Sequence, residues 1–192
     1  MESSDVLRPL SPAVAATQAF VDSVGGAGFI IGGLAVGLIA RARSTKDVDA
    51  TIIADSDDIE SLLSGARRFG LVPRPGYDTT FGRQQRLLLL VHEPTKIGVD
   101  ISLGALPFEI EAAERSRTVE LDGRPVRVAT PEDLVIMKAL AHRLQDLADI
   151  RLIVEVNPDL DRKRIERWVK DFAETLEMPE LWDEIVPLLA MP

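Results

Sequence analysis

Apolar residues in the first two thirds of the chain occur in short runs that glycine, proline and charged residues separate. Short runs bounded in this way predict buried strands. We place such strands at residues 29–31, 47–53, 86–92 and 97–103, with a further hairpin at 119–128 around Asp122-Gly123. The intervening segments predict helices at residues 12–24, 34–42, 57–69 and 107–115. The stretch 70–82, rich in glycine and proline, is predicted to be a loop.

The pattern changes at Thr130. Thr130 and Pro131, followed by two acidic residues, form a strong helix start, because threonine caps a first turn and proline fits its first position. Beyond this point the sequence predicts only helices, at residues 131–141, 144–156, 161–176 and 180–189. We therefore expect an α/β core over residues 1–129 and a C-terminal helical region over residues 130–192.

Composition narrows the classes of function. The chain has 192 residues, a formal net charge of -9 and no cysteine. The absence of cysteine excludes disulfides, thiolate metal sites and cysteine catalysis, and the acidity argues against general binding to duplex nucleic acid. The N-terminus does not resemble a signal peptide, and the longest uncharged run is shorter than the ~20 apolar residues of a membrane helix. We expect a cytoplasmic protein with no membrane partner.

Gly32-Gly33 lies between a predicted strand and a predicted helix. Glycine lets backbone amides approach a ligand closely, and a helix N-terminus favours an anion. The pair therefore suits a phosphate cradle, although tight packing or a hinge explains it equally well.

Asp47 and Asp49 occupy alternate positions of the next predicted strand, so both side chains point to the same face of the sheet. Two carboxylates this close repel each other unless a cation lies between them, and Mg²⁺ prefers oxygen ligands of this kind. The alternative is an exposed strand end with two solvated acids. Asp100 is a single acid in an otherwise apolar strand. It is better explained facing a metal site than buried alone, or else it marks a sheet end.

The glycine pair followed by Asp47-Val48-Asp49 resembles the signature of the polymerase-beta-like nucleotidyltransferase superfamily, which has a third carboxylate on a later strand, as at Asp100. The resemblance implies an α+β fold, with a mixed β-sheet core, flanking helices and the C-terminal helical region. It also implies that Asp47, Asp49 and Asp100 are catalytic and hold Mg²⁺, with Mn²⁺ as a substitute.

Within the superfamily, the chain is most similar to the AbiEii-type toxin–antitoxin nucleotidyltransferases, in which an arginine and a threonine precede the two acids, as Arg43 and Thr45 do here. Residues 137–150 resemble their Lys…Arg…Asp-x-x-Asp-Ile segment, with Gln145 where a lysine is common. The resemblance assigns nucleotide binding to six residues: Gly32, Gly33, Arg43, Thr45, Lys138 and Asp146. The implied partners are an NTP, an acceptor that is RNA, protein or a small molecule, and a cognate antitoxin.

Two groups of charged and polar residues provide further candidates for binding phosphates. Lys138, His142, Asp146 and Asp149 follow helical spacing and predict one polar stripe, in which Lys138 could neutralise a triphosphate and Asp146 could hold Lys138 or Arg143. A solvated helix face is the alternative. The second feature is a local excess of arginine that could bind phosphates, or could be scattered for solubility, and it comprises Arg67, Arg68, Arg74, Arg83 and Arg86.

The predicted reaction is the transfer of a nucleoside monophosphate from an NTP to an acceptor hydroxyl. Three alternatives remain open at this point. The chain could be a toxin-like enzyme acting on tRNA or protein, a small-molecule transferase of the antibiotic-modifying kind, or a non-catalytic antitoxin or partner domain of the same fold.

Overall fold

A computed structural model describes residues 6–25, 27–41 and 44–190. They form two compact units. The first unit comprises the described residues up to Leu38 and those from 44 to Ala129, and the second comprises Ile39–Arg41 and the described residues from Thr130 onward.

The first unit is built on one mixed sheet of seven strands. Its strands are β1 (Gly28–Ile31), β2 (Asp47–Ile53), β3 (Leu71–Pro73), β4 (Leu87–His92), β5 (Ile97–Gly104), β6 (Arg117–Leu121) and β7 (Arg124–Val128). Their spatial order is β3-β4-β5-β2-β1-β7-β6. The pairs β2–β5 and β1–β7 are parallel, and the other neighbours are antiparallel. The predicted α+β class with a mixed sheet and flanking helices is confirmed.

One face of this sheet is buried along its central strands. Alternate residues of the central strands point into it, among them Val48, Ala50, Val99 and Ile101, each with no exposed area. Helix α1 (Ser11–Ser23) packs against β1 and β2. A Cβ atom at Gly28 would lie 2.8 Å from Cγ1 of Val21, so the helix and the strand approach as closely as glycine allows. Because side chains alternate along a strand, the intervening residues of β2 and β5 must point to the opposite face.

Four further helices of the described residues flank the sheet: α2 (Gly32–Ile39), α3 (Ile59–Arg67), α4 (Thr79–Gln85) and α5 (Pro107–Arg115). Phe20 of α1 lies 3.5 Å from the Cβ position of Gly65, which sets α3 beside α1. Helix α5 covers the far end of the opposite face, where a Cβ atom added at Gly104 of β5 would lie 3.2 Å from Cβ of Glu109. The part of this face that carries the acids of β2 and β5 is half-exposed or exposed.

The prediction of a loop over residues 70–82 is wrong. Leu71–Pro73 forms the edge strand β3, which pairs with β4, and Thr79–Gln85 forms helix α4. The pairing of β3 is non-local and leaves no local pattern in three residues. Helix α4 does have a local start signal, because the side chain of Asp78 accepts a hydrogen bond from the amide of Thr80 at 2.9 Å.

The second unit is helical: α6 (Pro131–Ala141), α7 (Leu144–Val156), α8 (Arg162–Leu176), α9 (Glu180–Asp183) and α10 (Val186–Leu189). The side chain of Thr130 accepts a hydrogen bond from the amide of Asp133 at 3.2 Å and caps α6, as predicted. The single helix predicted at residues 180–189 is divided into α9 and α10. No helix among residues 6–25, 27–41 and 44–190 has the length and apolar character needed to cross a membrane.

Candidate active site

Three aspartates share one face of the sheet at the junction of β1, β2 and β5. Asp49 is the register partner of Asp100 in the parallel pair β2–β5, and Asp47 is the partner of Gly98. Residues 47 and 49 lie on the same face because they alternate with the buried Val48. The structure therefore brings together the three carboxylates that the sequence singled out, on the face opposite the apolar core.

Gly32 leaves room for the Asp49 carboxylate. It is the first residue of α2, immediately after β1, and its φ is 66°, a left-handed value. A Cβ atom at this position would collide with Oδ2 of Asp49 and lie 2.7 Å from its carboxyl carbon. Only glycine meets both requirements, so the Gly-Gly turn and the acid of the next strand form one packed arrangement. Gly33 follows as a buried residue of α2.

Gly98 likewise leaves room for the carboxylate of Asp47. A Cβ atom at Gly98 would lie 2.5 Å from Oδ1 of Asp47 and 2.6 Å from Nη2 of Arg74. The space over this glycine is therefore filled by a carboxylate of β2 and by a guanidinium that reaches in from the segment after β3. The sequence analysis did not single out Gly98.

Arg74 was predicted only as a member of a basic patch, and the structure gives it a more specific place. Its Nη2 atom forms an ion pair with Oδ1 of Asp100, and its Nε donates a hydrogen bond to the carbonyl of Leu90 at 3.0 Å. A cation within an acidic cluster is expected on electrostatic grounds. No local signal could have picked this arginine from its neighbours, since 26 residues separate it from Asp100.

The acidic surroundings change the proton affinity of Asp100. Burial raises its pKa above the usual value, the Arg74 guanidinium opposes this, and the Asp49 and Asp47 carboxylates raise the pKa further. The Asp49 and Asp47 carboxylates are therefore coupled electrostatically to Asp100, and both disfavour its ionised form. Such coupling of like charges at one point of a sheet is typical of a site that accepts cations.

The donor set fits Mg²⁺ or Mn²⁺, because it consists of carboxylate oxygens on adjacent strands with half-exposed access. As the side chains stand, no group of three or more acidic or histidine side chains among the described residues is arranged to hold a metal ion. Asp100 is engaged by Arg74. Its carboxylate would have to turn from that arginine to join Asp47 and Asp49 around one ion.

The remaining predicted nucleotide-binding residues fall in different places. Thr45 lies just before β2, where its hydroxyl donates a 3.4 Å hydrogen bond to the carbonyl of Asp47. Arg43 lies outside the described residues. Lys138 and Asp146 belong to the helical unit and are considered within it.

The prediction that Lys138, His142, Asp146 and Asp149 form one polar stripe is wrong. His142 has a φ of 51° and ends α6, so Lys138 lies on α6 and Asp146 and Asp149 lie on α7. The solvated-face alternative is also wrong, because the side chains of these three residues are 7%, 0% and 4% exposed.

Lys138 ties these two helices together. Its ammonium lies 2.7 Å from Oδ1 of Asp146 and 2.8 Å from Oδ2 of Asp149, and Arg143 reaches the other oxygen of Asp146 at 2.6 Å. Asp146 thus holds both Lys138 and Arg143, as the sequence suggested. Burial alone would raise the pKa of Asp146, but hydrogen bonds and charge from Arg143 and Lys138 lower it overall.

The other arginines of the predicted patch are engaged elsewhere. Arg83 forms ion pairs with Glu60 at 2.9 Å and with Asp57 at 3.7 Å. Arg86 donates hydrogen bonds to backbone carbonyls, and the guanidinium of Arg68 lies 6.0 Å from the ring of Phe69. Among these arginines, Arg74 is the one with an ion pair to an acid of the candidate site, and phosphate binding by the patch stays a prediction.

A known family model matches residues 22–182 of this chain, and its description is "Nucleotidyltransferase of unknown function (DUF6036)". The chain belongs to this family. The match spans both units and includes the glycine pair and all three aspartates. No curated protein matches the chain.

Two solved structures share this nucleotidyltransferase's fold. The antibiotic-resistance factor ANT(2'')-Ia, whose solution structure shows substrate-regulated conformation dynamics, superimposes with a TM-score of 0.54 at 14% identity, covering 88% of this chain and 96% of that one. An antigenic nucleotidyltransferase-like protein from Paracoccidioides brasiliensis gives a TM-score of 0.51 at 18% identity, covering 95% and 93%. At these identities the likeness establishes the fold alone. The particular similarity to AbiEii-type toxins stays a prediction.

Proposed function

We propose that this nucleotidyltransferase moves a nucleoside monophosphate from an NTP to an acceptor hydroxyl, with Mg²⁺ held by Asp47, Asp49 and Asp100. The observation that carries the proposal is the β2–β5 register, which sets Asp49 directly opposite Asp100 on the face that also carries Asp47. The family model supports the transferase class. Bound there, Mg²⁺ would neutralise phosphate charge and favour ionisation of the acceptor hydroxyl.

The chain's own groups then have separate tasks. The turn at Gly32-Gly33 offers backbone amides at the start of α2 to the β- and γ-phosphates. The acceptor oxygen attacks the α-phosphorus in line, the bond to the bridging oxygen breaks, and pyrophosphate leaves with the electron pair. Asp100 either completes the metal site or receives the proton of the acceptor hydroxyl. The carboxylates would therefore contribute chiefly by their position at the site and by their negative charge.

The acceptor has two candidate classes. RNA or protein follows from the resemblance to toxin-like enzymes, for which a cognate antitoxin would be a partner. A small molecule is favoured by the near-complete mutual coverage with ANT(2'')-Ia, an antibiotic-resistance factor of similar fold and extent. Near the site, a cavity of about 450 Å³ lies at the end of β5 and includes Ser102, which shares a face with Asp100. The residues that line this cavity are candidates for contacts with the acceptor.

The test is transfer of label from each α-³²P-labelled NTP to total RNA, total protein and aminoglycosides in the presence of Mg²⁺. Wild type is compared with Asp49→Asn, which keeps the shape of the side chain. Asp159→Asn is the matched control, since this aspartate is an exposed turn residue of the helical unit. We expect label on one acceptor class with wild type and the control, and none with Asp49→Asn. Equal transfer by Asp49→Asn would refute the site.

A further inference from the structure

The guanidinium of Arg74 enters the carboxylate cluster from the edge of the sheet. The backbone amide of Arg74 donates a hydrogen bond to the carbonyl of Leu89 at 2.9 Å, and Nε donates one to the carbonyl of Leu90 at 3.0 Å. These two contacts to β4 fix the direction of the side chain. Nη2 then pairs with Asp100, where the two side chains are 34% and 31% exposed.

This guanidinium also lies over Gly98, which a second acid covers as well. Nη2 of Arg74 and Oδ1 of Asp47 border the same small space over Gly98, at 2.6 Å and 2.5 Å from the position of its missing Cβ atom. Arg74 therefore pairs with one of the three acids to which the proposed function assigns Mg²⁺ and lies against the same glycine as another. A larger residue at position 98 would leave no room for this arrangement.

A guanidinium and a divalent ion that bind the same carboxylate compete for it, because their positive charges repel each other and both draw on the charge of that one group. Mg²⁺ binds oxygens at about 2.0–2.1 Å in a strict octahedral geometry, and the arginine pair already occupies Oδ1 of Asp100. An arginine does not lose its proton in proteins, so its charge stays in place at every working pH. While Arg74 stays paired with Asp100, its charge therefore weakens the hold of this carboxylate on a divalent ion.

Resting on the proposed function, we propose that Arg74 is a built-in counter-cation that competes with the divalent ion for Asp100. It holds this carboxylate in place and offsets its charge while no nucleotide is bound. Metal alone is then bound weakly, and the additional phosphate ligands of a metal–nucleotide complex make displacement of Arg74 favourable. Arg74 is a positioning residue, because it acts through Asp100.

The experiment measures Mn²⁺ affinity of the whole chain by electron paramagnetic resonance, without nucleotide. Arg74→Ala is expected to bind Mn²⁺ about tenfold more tightly than wild type, a typical size for coupled binding equilibria. Arg83→Ala is the matched control, since Arg83 is similarly exposed and its ion pairs are with Glu60 and Asp57. It should leave the affinity unchanged. Arg74→Gln, which keeps a hydrogen-bond donor near the carbonyl of Leu90, replaces Arg74→Ala in the measurement if the alanine variant does not fold.

Because the competition is for Asp100, the gain in Mn²⁺ affinity of Arg74→Ala should depend on that carboxylate. In an Asp100→Asn background, Arg74→Ala should therefore change Mn²⁺ affinity by less than about twofold. Unchanged or weaker Mn²⁺ binding by Arg74→Ala, with wild type binding measurably, would overturn the competition and leave the proposed function standing. No Mn²⁺ binding by wild type or by any Arg74 variant, with or without NTP, would overturn both.

Discussion

Replacing Gly32 by alanine should damage stability and activity through two separable effects. The first is backbone strain, because a φ of 66° costs a residue with a Cβ atom about 1–2 kcal/mol. The second is a collision with Asp49 that reaches beyond the tip of its side chain, since Cβ of Asp49 lies only 2.8 Å from the new atom. The carboxylate cannot simply rotate away, so β2 or the start of α2 must shift.

Gly123→Ala separates the two effects. Gly123 has a similar φ of 74°, and a Cβ atom there would meet nothing within 4 Å. Both variants should lose about 1–2 kcal/mol in urea unfolding from the backbone alone. Only Gly32→Ala should also lose turnover, by about a hundredfold or more, since a displacement near 1 Å at a reacting centre has that effect. Pyrophosphate release from NTP with Mg²⁺ measures turnover. If Gly32→Ala turned over NTP at the wild-type rate, the inference that this glycine fixes the position of Asp49 would be refuted.

Two further predictions follow from the charged groups. Asp146→Asn leaves the buried Lys138 with Asp149 as its remaining carboxylate partner within the cluster, so we expect urea unfolding at pH 7 to show a loss of about 3 kcal/mol. Because the folded-state pKa of Asp146 is lowered, its contribution is present above the ordinary value of 3.8 and disappears as the pH falls through the folded value. A loss that stays constant down to pH 2 would contradict the ion pair as its cause. Asp49→Asn should lower the pKa of Asp100, as followed by carboxyl ¹³C resonances, because it removes one of the like charges that raise it. The raised pKa means that ionised Asp100 disfavours the folded state from pH 3.8 upward, so the stability of the variant relative to wild type should improve between pH 3 and pH 7. An unchanged Asp100 titration would show that the two carboxylates are not coupled.

Local patterns in the sequence predict much of this fold. The bounds predicted for β2, α5, α6 and α7 are those observed. In β2 the apolar residues alternate with acids, and α6 begins at a capping threonine followed by proline. Each of these signals lies within a few residues of the element that it marks. The edge strand β3 has no such signal, because its pairing partner β4 supplies the reason for its conformation.

The same distinction applies to the candidate site. Asp47, Asp49 and Asp100 could be selected from spacing and resemblance, and the strand register then brings them to one face. The partnership of Arg74 with Asp100 and the fit of Gly98 around Asp47 depend on side chains that meet across the sheet. Lys138 was selected from helical spacing and resemblance, and folding gives it buried carboxylate partners on the next helix that no local pattern indicates. Its assignment to nucleotide binding stays a prediction.

The most direct test of the central claim is a crystal structure with Mn²⁺ and a non-hydrolysable NTP, read by the anomalous signal of the metal. The account predicts a Mn²⁺ peak at about 2.0–2.2 Å from oxygens of Asp47 and Asp49, with Asp100 turned from Arg74 and the phosphates at the Gly32-Gly33 turn. Metal and nucleotide bound together at a different part of the chain, with the Arg74–Asp100 pair intact, would contradict it.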